Sequence, residues 1–324
     1  MAVDQPNLAA IEAAAEIVYQ AITPTPQYAW PLLCQHLGTE AWLKHENHTP
    51  LGAFKIRGGL VYFNELVKNG KPPGVISATR GNHGQSVGFS ARRHGIHATI
   101  VVPFNNNVEK NAAMRALGVE LIEHGDDFSA SAEYAQDLAG ERSLHMVPSF
   151  HPQLVSGVAS YSLELFNAVS DIDIAYVPIG MGSGICGMIA ARDALGLGTK
   201  IVGVVSSHAT AYARSFEQKK LVESPVSTRL ADGMAVRKPH PMALEMIWRG
   251  ADRIIEVSDD EIANAMRIIY ECSHNTCEGA GAAALAAAIQ EKEANIGQKV
   301  AMVLSGANVD RAIFAEVLSA PGVY

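Results

Sequence analysis

The sequence is poor in the features that mark several large classes of protein. It has only four cysteines among 324 residues, and their spacing shows neither a C-x-x-C motif nor a disulfide framework. No run of lysine or arginine occurs and the net charge is −8, so we expect no nucleic-acid partner. No apolar stretch reaches the ~18 uninterrupted residues that a membrane helix needs, so we expect no membrane partner. Because Lys44 is the first basic residue, the N-terminal stretch is atypical of a targeting signal, and we expect a cytoplasmic location.

Hydrophobic residues make up 48% of the chain and charged residues 18%, which is typical of a globular protein with a sizeable core. Short apolar runs alternate with stretches of helical periodicity, which favours an α/β fold with parallel strands and crossover helices. Strands are predicted over 41–44, 75–79, 98–102, 119–122, 174–179, 201–205, 253–257 and 300–304. Helices are predicted over 85–93 and 108–117, after a cap at Asn7, after Lys55, and from starts near Gly184, Ser258, Gly279 and Asn308.

One lysine, Lys55, lies in a setting that is unusual for this residue type. It follows the aromatic Phe54 and a turn sequence at 49–52, and it precedes Gly58 and Gly59, which allow another backbone to come close. A lysine held in such a place loses water, and its neutral amine can then form a Schiff base. The alternative is an ordinary surface charge, which is the common fate of a lysine.

A glycine-rich loop at 180–184 follows one predicted strand and precedes a predicted helix. Its backbone N–H groups and the start of the helix favour an anion such as a phosphate. The loop consists of Gly180, Met181, Gly182, Ser183 and Gly184. A dinucleotide fingerprint also fits this spacing, but it needs an acidic residue at the end of the next strand. Ser206 and Ser207 stand there instead, which disfavours a nicotinamide oxidoreductase.

A polar turn, 79–83, lies where another predicted strand passes into a helix. Its backbone N–H groups can hold a carboxylate. The alternative is that Asn82 simply caps the helix. Two further stretches have a polar residue at the end of a predicted element: Glu278 stands at the start of an alanine-rich helix, and Ser305 follows the last strand. An acidic residue in a first helical turn is also an ordinary complement to the helix dipole.

These motifs together resemble the serine/threonine dehydratase family, whose members are fold-type II enzymes that use pyridoxal 5'-phosphate (PLP). The resemblance covers roughly residues 20 to 320 and rests on five stretches besides the glycine-rich loop: 53–58, 78–84, 229–235, 278–281 and 304–308. The chain departs from the family pattern at Ala53, where serine is usual, and at Met181 and Ser183, where glycines are usual. The proline that usually follows the glutamate is absent after Glu278.

The resemblance implies an α/β architecture similar to the tryptophan synthase β fold, with two open, parallel-rich sheets wrapped by helices. It implies a large PLP-binding domain of residues 1–57 and 148–324 and a small domain of residues 58–147, with the cofactor in the cleft between them. It also implies a homodimer. The chain ends where a C-terminal regulatory domain would begin in some relatives, so we expect none.

The resemblance also implies roles for single residues. Lys55 would bond covalently to PLP and act as the catalytic base. The turn residues Thr79, Gly81, Asn82 and His83 would bind the substrate carboxylate. Many relatives have a small residue at position 80; we expect Arg80 to face the substrate carboxylate or a polar tail of the substrate, and the alternative is a salt bridge within the small domain. The remaining cofactor contacts would be Phe54 and Gly233 at the ring faces, Asn82 at the phenolic oxygen, residues 180–184 at the phosphate, Glu278 near the ring and Ser305 at the pyridine nitrogen. A plain turn glycine is the alternative for Gly233.

The function implied is a PLP-dependent ammonia-lyase that converts a β-hydroxy-α-amino acid of the threonine or serine type to a 2-keto acid and ammonia. A bulkier substrate, such as phenylserine or a hydroxyectoine-derived amino acid, stays open because Ala53 and Arg80 depart from the common pattern. Racemisation is not expected, since serine racemases have a proton-donating serine where this chain has Arg80. A catalytically silent PLP-binding protein is disfavoured by the retained Lys55. No metal is expected. Some relatives hold a divalent ion with a glutamate and an aspartate after the strand that matches 201–205, and residues 206–212 of this chain contain no carboxylate.

Overall fold

The computed structural model describes residues 5–320, which form two mostly parallel β-sheets surrounded by helices. The strands are β1 (Gln27–Tyr28), β2 (Glu40–His45), β3 (Gly74–Ala78), β4 (His97–Val102), β5 (Glu120–Glu123), β6 (His145–Met146), β7 (Ile174–Pro178), β8 (Lys200–Ser206), β9 (Arg253–Val257) and β10 (Lys299–Leu304). The first helices are α1 (Leu8–Tyr19), α2 (Pro31–Leu37), α3 (Lys55–Lys68), α4 (Asn82–Arg93), α5 (Val108–Ala116), α6 (Phe128–Glu141) and α7 (Pro152–Ala168). They are followed by α8 (Ser183–Ala194), α9 (Ala211–Gln218), α10 (Pro241–Gly250), α11 (Asp259–Ser273), α12 (Gly279–Gln290) and α13 (Arg311–Ser319).

The six-stranded sheet has the order β1-β2-β10-β7-β8-β9, and the four-stranded sheet has the order β5-β4-β3-β6. All pairs are parallel except β1 with β2. The α/β class and every predicted strand are therefore confirmed, with bounds that differ by one or two residues. Within residues 5–320, no helix is both long and apolar enough to cross a membrane.

One helix prediction differs from the structure in an informative way. The final helix begins at Arg311 instead of near Asn308, because hydrogen bonds tie Ala307 and Asn308 to the turn at 51–52. The Ala307 amide donates to the carbonyl of Gly52, and the Asn308 side chain donates to the carbonyl of Leu51. The cap at Asn7 is confirmed, since its side chain accepts from the Ala10 amide.

Close helix packing fixes the start of α3, and with it the position of Lys55. Helix α7 crosses α3 at a pair of glycines: a Cβ on Gly157 would lie 2.4 Å from the Arg57 carbonyl oxygen, and one on Gly58 would lie 2.9 Å from that of Leu154. At the next residue of α3, Gly59 leaves no room for a Cβ beside Ser86 of α4. The prediction that Gly58 and Gly59 allow a close backbone approach is therefore confirmed.

A group of four charged side chains, Lys44, Glu46, Arg57 and Glu164, is buried beside the start of α3. The Arg57 guanidinium donates to Glu46 at 2.7 Å and to Glu164 at 2.6 Å, and the Lys44 ammonium lies 2.6 Å from Glu164. Arg57, Lys44 and Glu46 are fully buried. Two cations and two anions balance, so each buried charge has a partner, as burial requires.

Candidate active site

A cavity of about 710 Å³ opens at the carboxyl ends of strands from both sheets. The turn after β3, the loop after β7 and the residue after β10 all line it, which is where parallel α/β folds place their ligands. Every residue that the sequence nominated contributes to this cavity: Phe54, Lys55, Thr79, Arg80, Gly81, Asn82, His83, Gly180, Met181, Gly182, Ser183, Gly184, Gly233, Glu278 and Ser305.

Lys55 is the first residue of α3 and faces the glycine-rich loop. Its Nζ donates to Ser183 Oγ at 3.2 Å and lies 4.9 Å from the centre of the Phe54 ring. Burial lowers the pKa of Lys55 to about 8, against an opposing attraction from the Glu278 carboxylate. Roughly a tenth of the amine is therefore neutral at pH 7, far more than for a solvated lysine, and the neutral form is the one that attacks an aldehyde.

The glycine-rich loop joins β7 to α8 and has room only for glycine at two positions. A Cβ on Gly180 would lie 2.4 Å from the carbonyl oxygen of Gly233, and one on Gly182 would lie 2.7 Å from the Ala243 side chain. Gly182 also has a left-handed φ of +102° and, as the N-cap, offers α8 no side-chain acceptor. The first N–H groups of α8 are left for an anion at the cavity, so these residues fit the phosphate of PLP.

The turn after β3 holds Asn82 in a hydrogen-bonded position. The N-cap of α4 is Gly81, so the alternative that Asn82 caps the helix is wrong. The Asn82 Nδ2 instead donates to Glu278 Oε1 at 2.6 Å, and its Oδ1 accepts from Asn308 Nδ2 at 2.8 Å. Asn308 also donates to the Leu51 carbonyl, which fixes the Asn308 side chain. The side-chain amide of Asn82 therefore has a fixed orientation and one N–H that remains free for a ligand.

Lys110 is a residue of the site that the sequence did not indicate. Its buried Nζ lies 2.7 Å from Asp232 Oδ2 and 2.9 Å from Glu278 Oε2, and its stem covers Gly81, where a Cβ would lie 2.3 Å from Lys110 Cδ. Although burial opposes the charge, Glu278 and Asp232 raise the pKa of Lys110. Burial raises the pKa of Glu278, and Lys110 opposes that rise. A lone lysine in an amphipathic helix carries no pattern that predicts such a contact.

The remaining nominated residues also lie at the cavity wall. His83 has its pKa lowered to about 3 by burial and by Lys55, against a hydrogen bond to the Pro148 backbone, so its ring is neutral at physiological pH. The Ser305 hydroxyl lies 3.4 Å from the Ala280 carbonyl, a long contact that leaves it available to a ligand. Gly233 lies in a short 3-10 turn, where a Cβ would lie 3.1 Å from that of Ala280.

Several other residues that could bind a metal make contacts within the protein. His45 Nε2 accepts from the Trp30 indole, and His48 hydrogen-bonds to Asn275. Cys272 and Cys277 are both buried; Cys272 lies on α11, and Cys277 lies in the loop before α12. In the part of the chain that the structure describes, no group of three or more His, Cys, Asp or Glu side chains is placed to hold a metal.

A lysine of lowered pKa lies beside an uncapped, glycine-lined helix start, at a cavity between two mostly parallel sheets. This arrangement is the one expected of a fold-type II enzyme that uses PLP. Residues 18–306 match the family described as "Pyridoxal-phosphate dependent enzyme", and the chain belongs to this family. It is 32% identical over 282 residues to the L-threonine ammonia-lyase of Thermotoga maritima, covering 86% of this chain and 70% of that one. It is 29% identical to the L-threo-3-hydroxyaspartate ammonia-lyase of Saccharomyces cerevisiae, covering 92% of each. Among solved structures, the processed form of threonine deaminase isoform 2 from Solanum lycopersicum has a TM-score of 0.89 at 26% identity, covering 100% of this chain and 96% of that one.

Proposed function

We propose that this enzyme is a PLP-dependent ammonia-lyase that converts a β-hydroxy-α-amino acid to a 2-keto acid and ammonia by β-elimination of water. One observation carries the proposal: the Lys55 amine, with its pKa lowered to about 8, lies 3.2 Å from Ser183 at the start of α8. This placement would put the lysine within reach of an aldehyde whose phosphate binds at the helix start. The names of the relatives from Thermotoga maritima and Saccharomyces cerevisiae support the same reaction class.

Several parts of the cavity wall would hold the cofactor. The backbone of residues 180–184 would bind the phosphate, and Lys55 would bond to the aldehyde carbon. Phe54 and Gly233 would flank the ring, Asn82 would donate its free N–H to the phenolic oxygen, and Ser305 would meet the pyridine nitrogen. When bound, PLP supplies an electron sink for the pair of electrons left at the substrate Cα. A neutral hydroxyl at the pyridine nitrogen favours prompt loss of the β-leaving group over wide delocalisation of that pair.

The chain's own residues would perform binding and proton transfer. The N–H groups of residues 79–83 would hold the substrate α-carboxylate, which orients Cα toward Lys55. The Lys55 amine would accept the Cα proton, and its lowered pKa suits a base that works near neutral pH. Lys110, Glu278 and Asn82 hold one another across the cavity and would keep the carboxylate-binding turn in place.

The wider organisation belongs to the same proposal. Residues 58–147 would form a small domain and residues 1–57 with 148–324 a large one; the placement of β3 to β6 within residues 74–146 supports this division. The enzyme would act as a cytoplasmic homodimer in amino-acid catabolism.

A substrate panel tests the proposal. Purified protein loaded with PLP is assayed for 2-keto acid and ammonia with L-serine, L-threonine, L-threo-phenylserine and a hydroxyectoine-derived amino acid. We expect release from at least one of them and loss of about 10³-fold or more in kcat for Lys55→Ala. Lys68→Ala, at an exposed lysine at the other end of α3, is the matched control. A PLP-loaded protein that releases no 2-keto acid from any β-hydroxy amino acid would contradict the proposal.

A further inference from the structure

We propose that Arg80 binds a second carboxylate of the substrate, so that the preferred substrate is a β-hydroxy-α-amino acid with an acidic side chain. The inference rests on the proposed dehydratase function and names the substrate class for that same cavity. The smallest compound of this class is 3-hydroxyaspartate, whose β-carbon carries both the leaving hydroxyl and the second carboxylate.

The basic side chains at the cavity wall give the first argument. Two of them, Arg237 and Lys238, lie at the rim and have counter-ions: Arg237 is 3.6 Å from Asp127, and Lys238 is 3.0 Å from Glu223. These pairs are exposed to solvent, so they do not need a ligand for their charges to be compensated.

The two deeper lysines are also accounted for. Lys110 lies between the carboxylates of Asp232 and Glu278, with two anions for one cation. Lys55 donates to Ser183 and carries an amine of lowered pKa, which the proposed function uses for the bond to PLP. Lys110 therefore has its counter-ions, and Lys55 has its role in the proposed function.

Arg80 is the fifth basic residue at the wall, and it has no such partner. Among the described residues, 5–320, no ion pair or hydrogen bond reaches its guanidinium, and its Nε is buried without a hydrogen-bond partner. A guanidinium that has lost part of its water and has no counter-ion is costly, unless a ligand supplies the anion.

The other anions of the proposed complex already have sites. The cofactor phosphate fits the loop after β7, which belongs to the six-stranded sheet, whereas Arg80 follows β3 of the four-stranded sheet. The substrate α-carboxylate is served by the backbone N–H groups of the turn 79–83. What remains for the Arg80 side chain is a further anion on the substrate, and its planar fork of donors suits a carboxylate held by two parallel hydrogen bonds.

The reaction balances for this substrate without any co-reactant. The Cα–H bond of 3-hydroxyaspartate breaks with transfer of the proton to Lys55, and the Cβ–O bond breaks with departure of the hydroxyl as water. The resulting unsaturated amine tautomerises to an imine, and one water hydrolyses it to ammonia and a four-carbon 2-oxo dicarboxylate. No oxidant or reductant is needed, because the loss and the gain of water cancel.

The test compares substrate preference in the PLP-loaded protein and two variants. The measured quantity is kcat/KM for 3-hydroxyaspartate divided by kcat/KM for L-serine. The threo and erythro isomers of 3-hydroxyaspartate are assayed separately. We expect a ratio of at least about 10 in the native protein and a fall of roughly 30-fold or more in Arg80→Gln, since a buried charge pair is lost. Arg80→Lys, which keeps the charge but not the fork, is expected to lie between them. Arg237→Gln, which removes a paired cation at the rim, is the matched control and should change the ratio less than about threefold.

A binding measurement separates this inference from the proposed function. Calorimetric titration with L-aspartate and L-alanine compares a ligand that has the second carboxylate with one that lacks it. The preference for aspartate should fall about tenfold or more in Arg80→Gln. If serine or threonine releases 2-keto acid and the ratio is the same in the native protein and Arg80→Gln, the inference is wrong and the proposed function stands. If no β-hydroxy amino acid reacts, the proposed function is wrong, and the aspartate preference alone decides whether Arg80 recognises a carboxylate.

Discussion

The ammonium of Lys110 lies 2.9 Å from Oε2 of Glu278, and this ion pair joins the two sheets of the molecule across the cavity. Lys110 belongs to α5, which follows β4 of the four-stranded sheet, and Glu278 is the N-cap of α12, which packs on the six-stranded sheet. Glu278 then accepts from Asn82, so the pair also positions the turn that would receive the substrate carboxylate. This chain of contacts therefore links elements of both sheets to the orientation of the polar groups at the cavity.

Lys110→Met is expected to lower the free energy of unfolding by about 3 kcal/mol, because it leaves the buried Glu278 and the half-buried Asp232 without their cation. Denaturant unfolding of the cofactor-free protein measures the change. The double variant Lys110→Met with Glu278→Gln should recover at least half of the loss, since one of the two charges is gone. Lys68→Met, at an exposed lysine, is the control. A loss for Lys110→Met no larger than that of the control would contradict this account of the ion pair.

The attachment of PLP to cofactor-free protein should follow the protonation of Lys55. Burial lowers its pKa to about 8, and only the neutral amine attacks an aldehyde, so the rate should rise with pH, be half-maximal near pH 8, and level off above that. Glu278 opposes the lowering, so Glu278→Gln should move the midpoint to lower pH. Stopped-flow absorption across pH 6 to about 10 measures both. A midpoint that stays near the ordinary lysine value of 10.5 would show that the amine is solvated.

Gly180→Ala should weaken PLP binding about tenfold or more, because the new Cβ would lie 2.4 Å from the Gly233 carbonyl and would push the loop away from the cavity. Equilibrium dialysis of PLP against the cofactor-free variants measures the effect. Gly198→Ala is the matched control, since a Cβ there meets nothing within 4 Å and its φ is not left-handed. Equal PLP affinity in both variants would remove the loop from the proposed phosphate site.

Glu164→Gln should destabilise the fold by about 3 kcal/mol, because it leaves the buried Arg57 and Lys44 with one carboxylate between them. Burial opposes ionisation of Glu164, but Arg57 and Lys44 lower its pKa. Its contribution to stability is therefore present above the ordinary pKa of a glutamate and is lost as the pH falls through the lowered value. The difference between native and variant protein should shrink in acid, as measured by urea unfolding at several pH values. Glu12→Gln, at an exposed glutamate of α1, should show neither effect.

The sequence was informative where local pattern decides the outcome and uninformative where distant residues meet. The apolar runs at 75–79 and 300–304 predict buried parallel strands because such strands need no polar alternation. The two-residue strands β1 and β6 are too short to leave a pattern, and the helix α7 was not predicted although its glycine at 157 fixes the position of α3. Lys110 could not be assigned, because its partners Asp232 and Glu278 lie 122 and 168 positions further along the chain.

The most direct test of the central claim is covalent: whether Lys55 is the residue that bonds to PLP. The PLP-loaded protein is reduced with borohydride, digested, and mapped by mass spectrometry, with Lys110→Met and Lys55→Ala treated in parallel. The account predicts one reduced pyridoxyl group on Lys55 in the native protein and in Lys110→Met, and none at any site in Lys55→Ala. A pyridoxyl group on another lysine, or no adduct in the native protein, would contradict it.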